Sequence, residues 1–187
     1  MRIININGPI NSGKTTISNL LRDKLPKCLF IEVDNLLSDE EEERLNLSRE
    51  EGWAERVKRL DAIIAQEKKM QNYENIIFAY PMTDKLYGEW KSWEDKDTKF
   101  INITLAPKEE VCLQNRGDRE LDDGEKARIK EMYKEGYHCS QFADLIIDNS
   151  MQRPEQTLQI VLNYLKKDSH RRVHEGWKNG NSQIYQR

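Results

Sequence analysis

Little in this chain could serve for covalent or metallic stapling. Its 187 residues hold three cysteines and three histidines, and Cys28, Cys112 and Cys139 stand far apart with no C-x-x-C spacing. A disulfide framework or a cysteine zinc site is therefore excluded as the organising principle. Long apolar runs are missing too: hydrophobic residues make up 37% and charged ones 34% of the chain, and no stretch approaches a membrane span. Arg2-Ile3-Ile4-Asn5-Ile6 leads straight into a glycine-bearing loop, which leaves no room for a cleavable signal, so the expected location is cytoplasmic. There is no excess of basic charge, with 30 basic against 33 acidic residues. A broad nucleic-acid surface is not expected, although a local basic groove stays open. No internal repeat is visible, and the length suits one domain with a substantial core.

What is present starts at Gly8-Pro9-Ile10-Asn11-Ser12-Gly13-Lys14-Thr15, which fills every fixed position of the G-x-x-x-x-G-K-[ST] phosphate loop. Arg2 to Asn7 reads as a strand before it. Thr16 to Leu25 carries Ile17, Leu20, Leu21 and Leu25 at helical spacing after it. In that context Gly8 and Gly13 let the backbone N–H groups of the loop turn inward around an anion, and the helix start adds its dipole. Gly8, Asn11, Ser12, Gly13, Lys14, Thr15 and Thr16 form the predicted nucleotide-binding set. Lys14 is expected to reach the β- and γ-phosphates and Thr15 to offer its hydroxyl to magnesium.

Further along, Cys28 to Val33 reads as a second strand ending at Asp34, followed by five consecutive acids, Asp39 to Glu43, in a solvated loop or helix start. Ser48-Arg49-Glu50-Glu51 matches a capping box that opens one long helix to about Met70. Ile76 to Tyr80 is a third strand, Thr83 caps a shorter helix carrying Trp90 and Trp93, and Phe100 to Leu105 is a fourth strand. Pro107 is placed at the opening of the next helix. Asp122 or Asp123 starts another, which ends near Gly136. Asp144 to Asp148 is the fifth strand, and a last helix runs from Pro154 to Leu165. Strands with near-continuous apolar cores, alternating with helices, imply a parallel sheet covered on both faces. Residues 1–167 are read as the domain, with an acceptor region at about 35–72 and a lid at about 115–127. Residues 168–187 form a polar, basic tail.

Phosphoryl transfer needs a carboxylate near the acceptor and cations over the moving group. Asp34, at the strand edge where ligands bind in open α/β sheets, is the expected catalytic carboxylate and a candidate partner of magnesium-bound water. Glu32 is a weaker partner. The third strand ends without an acid, and Asp84, the first beyond it, is expected at a helix start. Arg116 and Arg119 flank Gly117 and are the lid cations, with Arg128 further along. Arg153, after the fifth strand, is placed against a purine base. Leu105-Ala106-Pro107-Lys108 stands where a guanine-reading N-K-x-D would be, which favours ATP. Arg44, Arg49, Arg56 and Arg59 could meet an anionic acceptor, but their acidic neighbours favour ion pairs instead.

Gly8 to Thr15, Val33-Asp34, the Asn115-Arg116-Gly117-Asp118-Arg119-Glu120 segment and the Ala143-to-Asp148 strand before Pro154 together resemble the P-loop small-molecule and nucleotide kinases. Within them the chain is most similar to the chloramphenicol phosphotransferase-like, shikimate kinase-like and zeta-toxin-like proteins. The resemblance covers Met1 to about Leu165. It implies a three-layer α/β/α sandwich with a five-stranded parallel sheet in order 2-3-1-4-5, ATP with magnesium, Asp34 near the acceptor, and a lid carrying Arg116 and Arg119. Glu32, two residues before Asp34, departs from the Asp-x-Asp pair of shikimate kinases. Tyr80-Pro81-Met82 replaces their glycine triplet, so shikimate is not the expected substrate. The expected activity is transfer of the γ-phosphate from ATP to a hydroxyl or phosphate of a small molecule. The alternatives are a nucleoside, nucleotide or polynucleotide 5′-kinase, and a non-catalytic ATP-binding switch using Trp90, Trp93, Trp177 and the tail as a partner surface.

Overall fold

The computed structural model describes residues 1–115 and 120–180, with side chains through Asp168. Five parallel strands form one sheet in the order β2-β3-β1-β4-β5. They are β1 (Arg2–Asn7), β2 (Cys28–Ile31), β3 (Asn75–Ala79), β4 (Lys99–Leu105) and β5 (Leu145–Ile147). The central strand is locked on both sides, with Ile3 opposite Ile76 on one flank and Phe100 on the other. The helices are α1 (Lys14–Lys24), α2 (Asp39–Arg44), α3 (Arg49–Met70), α4 (Asp84–Lys91), α5 (Glu109–Cys112), α6 (Asp123–Lys134) and α7 (Pro154–Gly180).

Because successive strand residues face opposite sides, each strand feeds two cores. Ile4, Ile6, Ile77, Ile101 and Ile103 pack under Ile17 and Leu21 of α1 and Leu158, Val161 and Leu165 of α7. Ile3, Ile76, Phe78 and Phe100 pack under Leu60 and Ile64 of α3 and Trp90 of α4. Trp90 is 1% exposed and stacks on Trp93 with ring centroids 5.0 Å apart, while Phe78 meets it edge-on at 5.1 Å. Trp90 thus belongs to the core rather than to a partner-facing surface, and the side chain of Trp177 lies outside those described.

Three boundaries differ from the sequence expectation. The second strand stops at Ile31, and Val33–Leu36 is instead a 3-10 turn carrying Asp34. Val33 is 2% exposed, and the Asn35 N–H donates to Glu32 O at 3.1 Å to close the turn. Pro107 lies outside α5, whose N-cap is Lys108. The last helix continues past Leu165 to Gly180, where apolar periodicity had already run out.

Candidate phosphate-transfer site

The phosphate loop joins the end of β1 to α1, and its backbone takes the conformations its residues permit. Gly8 has φ +138°, and a Cβ there would collide with Leu105 O and come within 2.8 Å of Ser12 Oγ. Gly13 has φ +94° and is the N-cap of α1. Asn11 sits at φ 62°, a region asparagine tolerates better than most residues, and its Nδ2 donates to Cys112 O at 2.9 Å and Gln114 O at 2.8 Å. The loop is thereby tied to the stem that precedes residue 116. Asn149 Nδ2 donates to Ser12 O at 3.0 Å, bracing the loop from the far end of β5.

The start of α1 is also chemically distinctive. α2, α3 and α6 each begin with a full capping box, and α4 with a Thr83 cap. No side chain caps α1 or the single-turn α5. An uncapped first turn leaves N–H donors and the positive end of the helix dipole for an anion. Ser12 Oγ is buried with no hydrogen-bond partner, and Lys14 Nζ donates to Pro9 O at 2.6 Å. Asn11, Gly13, Lys14, Thr15, Thr16 and Ile17 line one wall of a cleft of about 420 Å³, and Asn149, Gln152, Pro154 and Thr157 line the other. These features fit a polyphosphate. Magnesium takes few protein ligands and keeps water and phosphate oxygens. Thr15, exposed on the first turn, is a suitable hydroxyl donor, and no cluster of three or more His, Cys, Asp or Glu positioned for a metal occurs among the described residues.

Asp34 lies on the same edge of the sheet and lines a smaller pocket of about 240 Å³ with Glu42, Arg49, Trp53 and Arg56. Arg56 and Arg59 of α3 hold the Asp34 turn by its carbonyls. Arg56 donates to Asp34 O at 3.4 Å and Leu37 O at 2.8 Å, and Arg59 to Leu36 O at 2.6 Å. Among the described residues, the Asp34 carboxylate itself has no bonded partner. Glu32 is exposed and accepts from Asn35 Nδ2 at 3.0 Å, a local contact within the turn. Tyr80, at the exit of β3, meets Trp53 edge-on at 6.0 Å. Burial pushes the Tyr80 phenol above its ordinary range, and the charges of Tyr137 and Asp34 add to that.

Buried asparagines of β1 set that β3 exit. Asn5 accepts from the Tyr80 N–H at 3.0 Å and donates to Tyr80 O at 3.1 Å. Asn7 accepts from the Met82 N–H at 2.9 Å and donates to Thr104 Oγ1 at 2.9 Å. Sequence reasoning passed over these two residues, and it placed Asn149 in a loop at the ligand edge without its bracing role. Polar side chains at alternate positions of a strand otherwise reading as buried were the available signal.

Of the phosphate-loop residues, Asn11, Gly13, Lys14, Thr15 and Thr16 line the cleft, while Gly8 and Ser12 lie behind it. Arg153 is exposed beside the cleft, and its N–H donates to Gln156 Oε1 at 2.8 Å. Its neighbours Gln152 and Pro154, rather than Arg153, line the wall. Asp84 starts α4, in the turn capped by Thr83. Arg128 pairs with Glu135 at 2.9 Å and Glu131 at 3.2 Å. Arg116 and Arg119 lie outside the described residues. No described helix is long and apolar enough to cross a membrane.

Residues 4–135 match the AAA_18 family model, described as an AAA domain. No curated protein matches the chain in sequence. Among solved structures, a gluconokinase from Sinorhizobium meliloti is similar with TM-score 0.64 at 14% identity, covering 92% of this chain and 95% of its own. A shikimate kinase from Aquifex aeolicus has TM-score 0.51 at 22% identity, with 90% and 98% covered. A deoxyadenosine kinase from M. mycoides has TM-score 0.52 at 19% identity, with 89% and 100% covered. At these identities the likeness is one of fold. With its phosphate loop, its sheet order and a family match over most of its length, the chain belongs to the AAA domain family, on the P-loop fold that small-molecule kinases share.

Proposed function

We propose that this protein transfers the γ-phosphate of ATP to a hydroxyl group of a small molecule. The observation that carries the reading is the pairing, on one sheet edge, of an uncapped phosphate cradle with an Asp34 carboxylate that no described residue has engaged. The triphosphate would run along the α1 start, with Lys14 and the N–H groups of the loop meeting its oxygens, and the nucleoside end would lie toward Gln152, Pro154 and Thr157. Magnesium, held through Thr15 and a water oriented by Asp34, would neutralise charge between the two terminal phosphates. Asp34 would orient the acceptor hydroxyl and take its proton. Arg116 and Arg119 are proposed from sequence position alone as the cations over the transferring group.

The test is γ-phosphate transfer from labelled ATP by the purified full chain, with magnesium, to pooled sugars, nucleosides, nucleotides, aminoglycosides and 5′-hydroxyl oligonucleotides. Label is expected in a small-molecule pool. Asp34→Asn should lose transfer by about a hundredfold or more while keeping ATP affinity, and Lys14→Ala should abolish both transfer and tight binding. Unchanged turnover in either variant would overturn the assigned role. Tight ATP binding without transfer to any pool would favour a nucleotide-operated switch.

A further inference from the structure

Resting on the kinase reading above, we propose that the phosphate acceptor is an uncharged, hydroxyl-bearing ring compound, a sugar or nucleoside, and that Glu42 enforces this choice by cancelling the charge of Arg56. Of the arginines at or near the Asp34 pocket, the natural receptors for a substrate carboxylate or phosphate, all but Arg49 are already engaged among the described residues. Arg56 is 8% exposed. It is paired with Glu42 and donates to Leu37 O at 2.8 Å and Asp34 O at 3.4 Å, with its guanidinium 5.1 Å from the Trp53 ring. Arg59 is engaged by Glu41 at 3.1 Å and Glu55 at 3.2 Å. Arg128, on the neighbouring groove that runs from Met82 to Phe142, is held by Glu131 and Glu135.

Arg49 alone lines the pocket without an ion pair among the described residues, and it is exposed, where water screens its charge. Asp34 faces the same space with its carboxylate unbonded, and its field reaches the Tyr80 phenol. An anionic acceptor would be desolvated against Asp34 and would have to compete with a tethered carboxylate for Arg56. The local chain is shaped to keep Glu42 there. Glu42 and Glu41 of α2 reach across to Arg56 and Arg59 of α3, and the residue against the Glu42 carboxylate is Gly52, where a Cβ would push that side-chain end aside. Glycine inside a helix is otherwise a poor choice. The remaining wall is the ring of Trp53, an apolar face suited to the C–H surface of a ring that presents hydroxyls elsewhere.

The experiment measures ADP release by the full chain with magnesium and ATP against acceptors matched except for charge. Glucose is compared with gluconate and glucose 6-phosphate, and adenosine and cytidine with their monophosphates. At least one neutral member should be turned over with kcat/KM about tenfold or more above its anionic counterparts. Activity confined to the hexose arm or to the nucleoside arm supports the proposal and names the source. Glu42→Gln, which frees Arg56, should narrow that ratio about tenfold with KM for ATP unchanged. Preference of the wild type for the anionic members, or an unaltered ratio in a folded Glu42→Gln variant, overturns the proposal and leaves the kinase reading standing. Tight ATP binding with no turnover of either class overturns the kinase reading itself. Should Glu42→Gln fail to fold by thermal melting, the wild-type ratios decide alone.

Discussion

Asn149 braces the phosphate loop across 137 positions of sequence by a single amide hydrogen bond to Ser12 O. A buried carbonyl stripped of its donor costs about 1–3 kcal/mol, so Asn149→Ala should weaken ATP binding by roughly 5- to 150-fold and leave the fold intact. Titration of a fluorescent ATP analogue against wild type and variant measures this, and equal affinities would remove the brace from the argument. The contrast with the loop itself shows what was legible at this scale. Gly8, Gly13, Lys14 and Thr15 announce their chemistry because it is set by neighbours within eight positions. Asn5, Asn7, Asn149 and Tyr80 act through partners on distant strands, loops and helices, and one sequence holds no trace of those pairings beyond a polar residue where an apolar one is expected. Arg56 illustrates the same limit. Its acidic neighbours predicted an ion pair, but only the fold shows that the pair is largely buried and in the pocket rather than on the outer surface.

Elements whose ends are decided locally were readable, and those decided by distant groups were not. Ser48 with Glu51 and Asp122 with Glu125 cap their helices as their spacing predicts. The second strand ends early in a turn whose carbonyls are held by α3 arginines, a partnership no local rule foretells. The other end of α3 is fastened by Lys68, which meets Asp95 at 2.8 Å. Asp95 also accepts from the N–H groups of Asp97 and Thr98 at 2.8 and 2.7 Å. The Lys68 bond, followed by those backbone donors, holds the Asp95 carboxyl well below the usual carboxylate range. A depressed folded-state pKa adds stability that is present above the ordinary carboxylate value and is lost as pH falls through the folded one. Asp95→Asn should therefore melt slightly below wild type at pH 7, and the gap should narrow progressively as pH falls below about 4. A gap constant with pH would mean that the carboxylate's charge contributes nothing there.

For the molecule as a whole, the site and the fold are thermodynamically one object. A nucleotide present at a hundred times its dissociation constant adds about 2.7 kcal/mol to the folded state, which for a domain of this size is a rise in melting temperature of roughly 5–10 °C. Magnesium with a non-hydrolysable ATP analogue should produce it in the wild type, and Lys14→Ala should lose most of it. No shift in the wild type would count against the cleft beside α1. The layering was foreseen from the alternation of strands and helices, with right-handed crossovers leaving few arrangements, and the sheet order from the family likeness. The central place of β1 carries one more implication. Its partners Asn75–Ala79 and Lys99–Leu105 arrive long after it in the chain, Leu105 O closes on Gly8, and Asn149 comes later still. During synthesis the phosphate loop leaves the ribosome before the strands and the Asn149 brace that give it its shape. A nascent chain is therefore blind to nucleotide until those later segments have emerged.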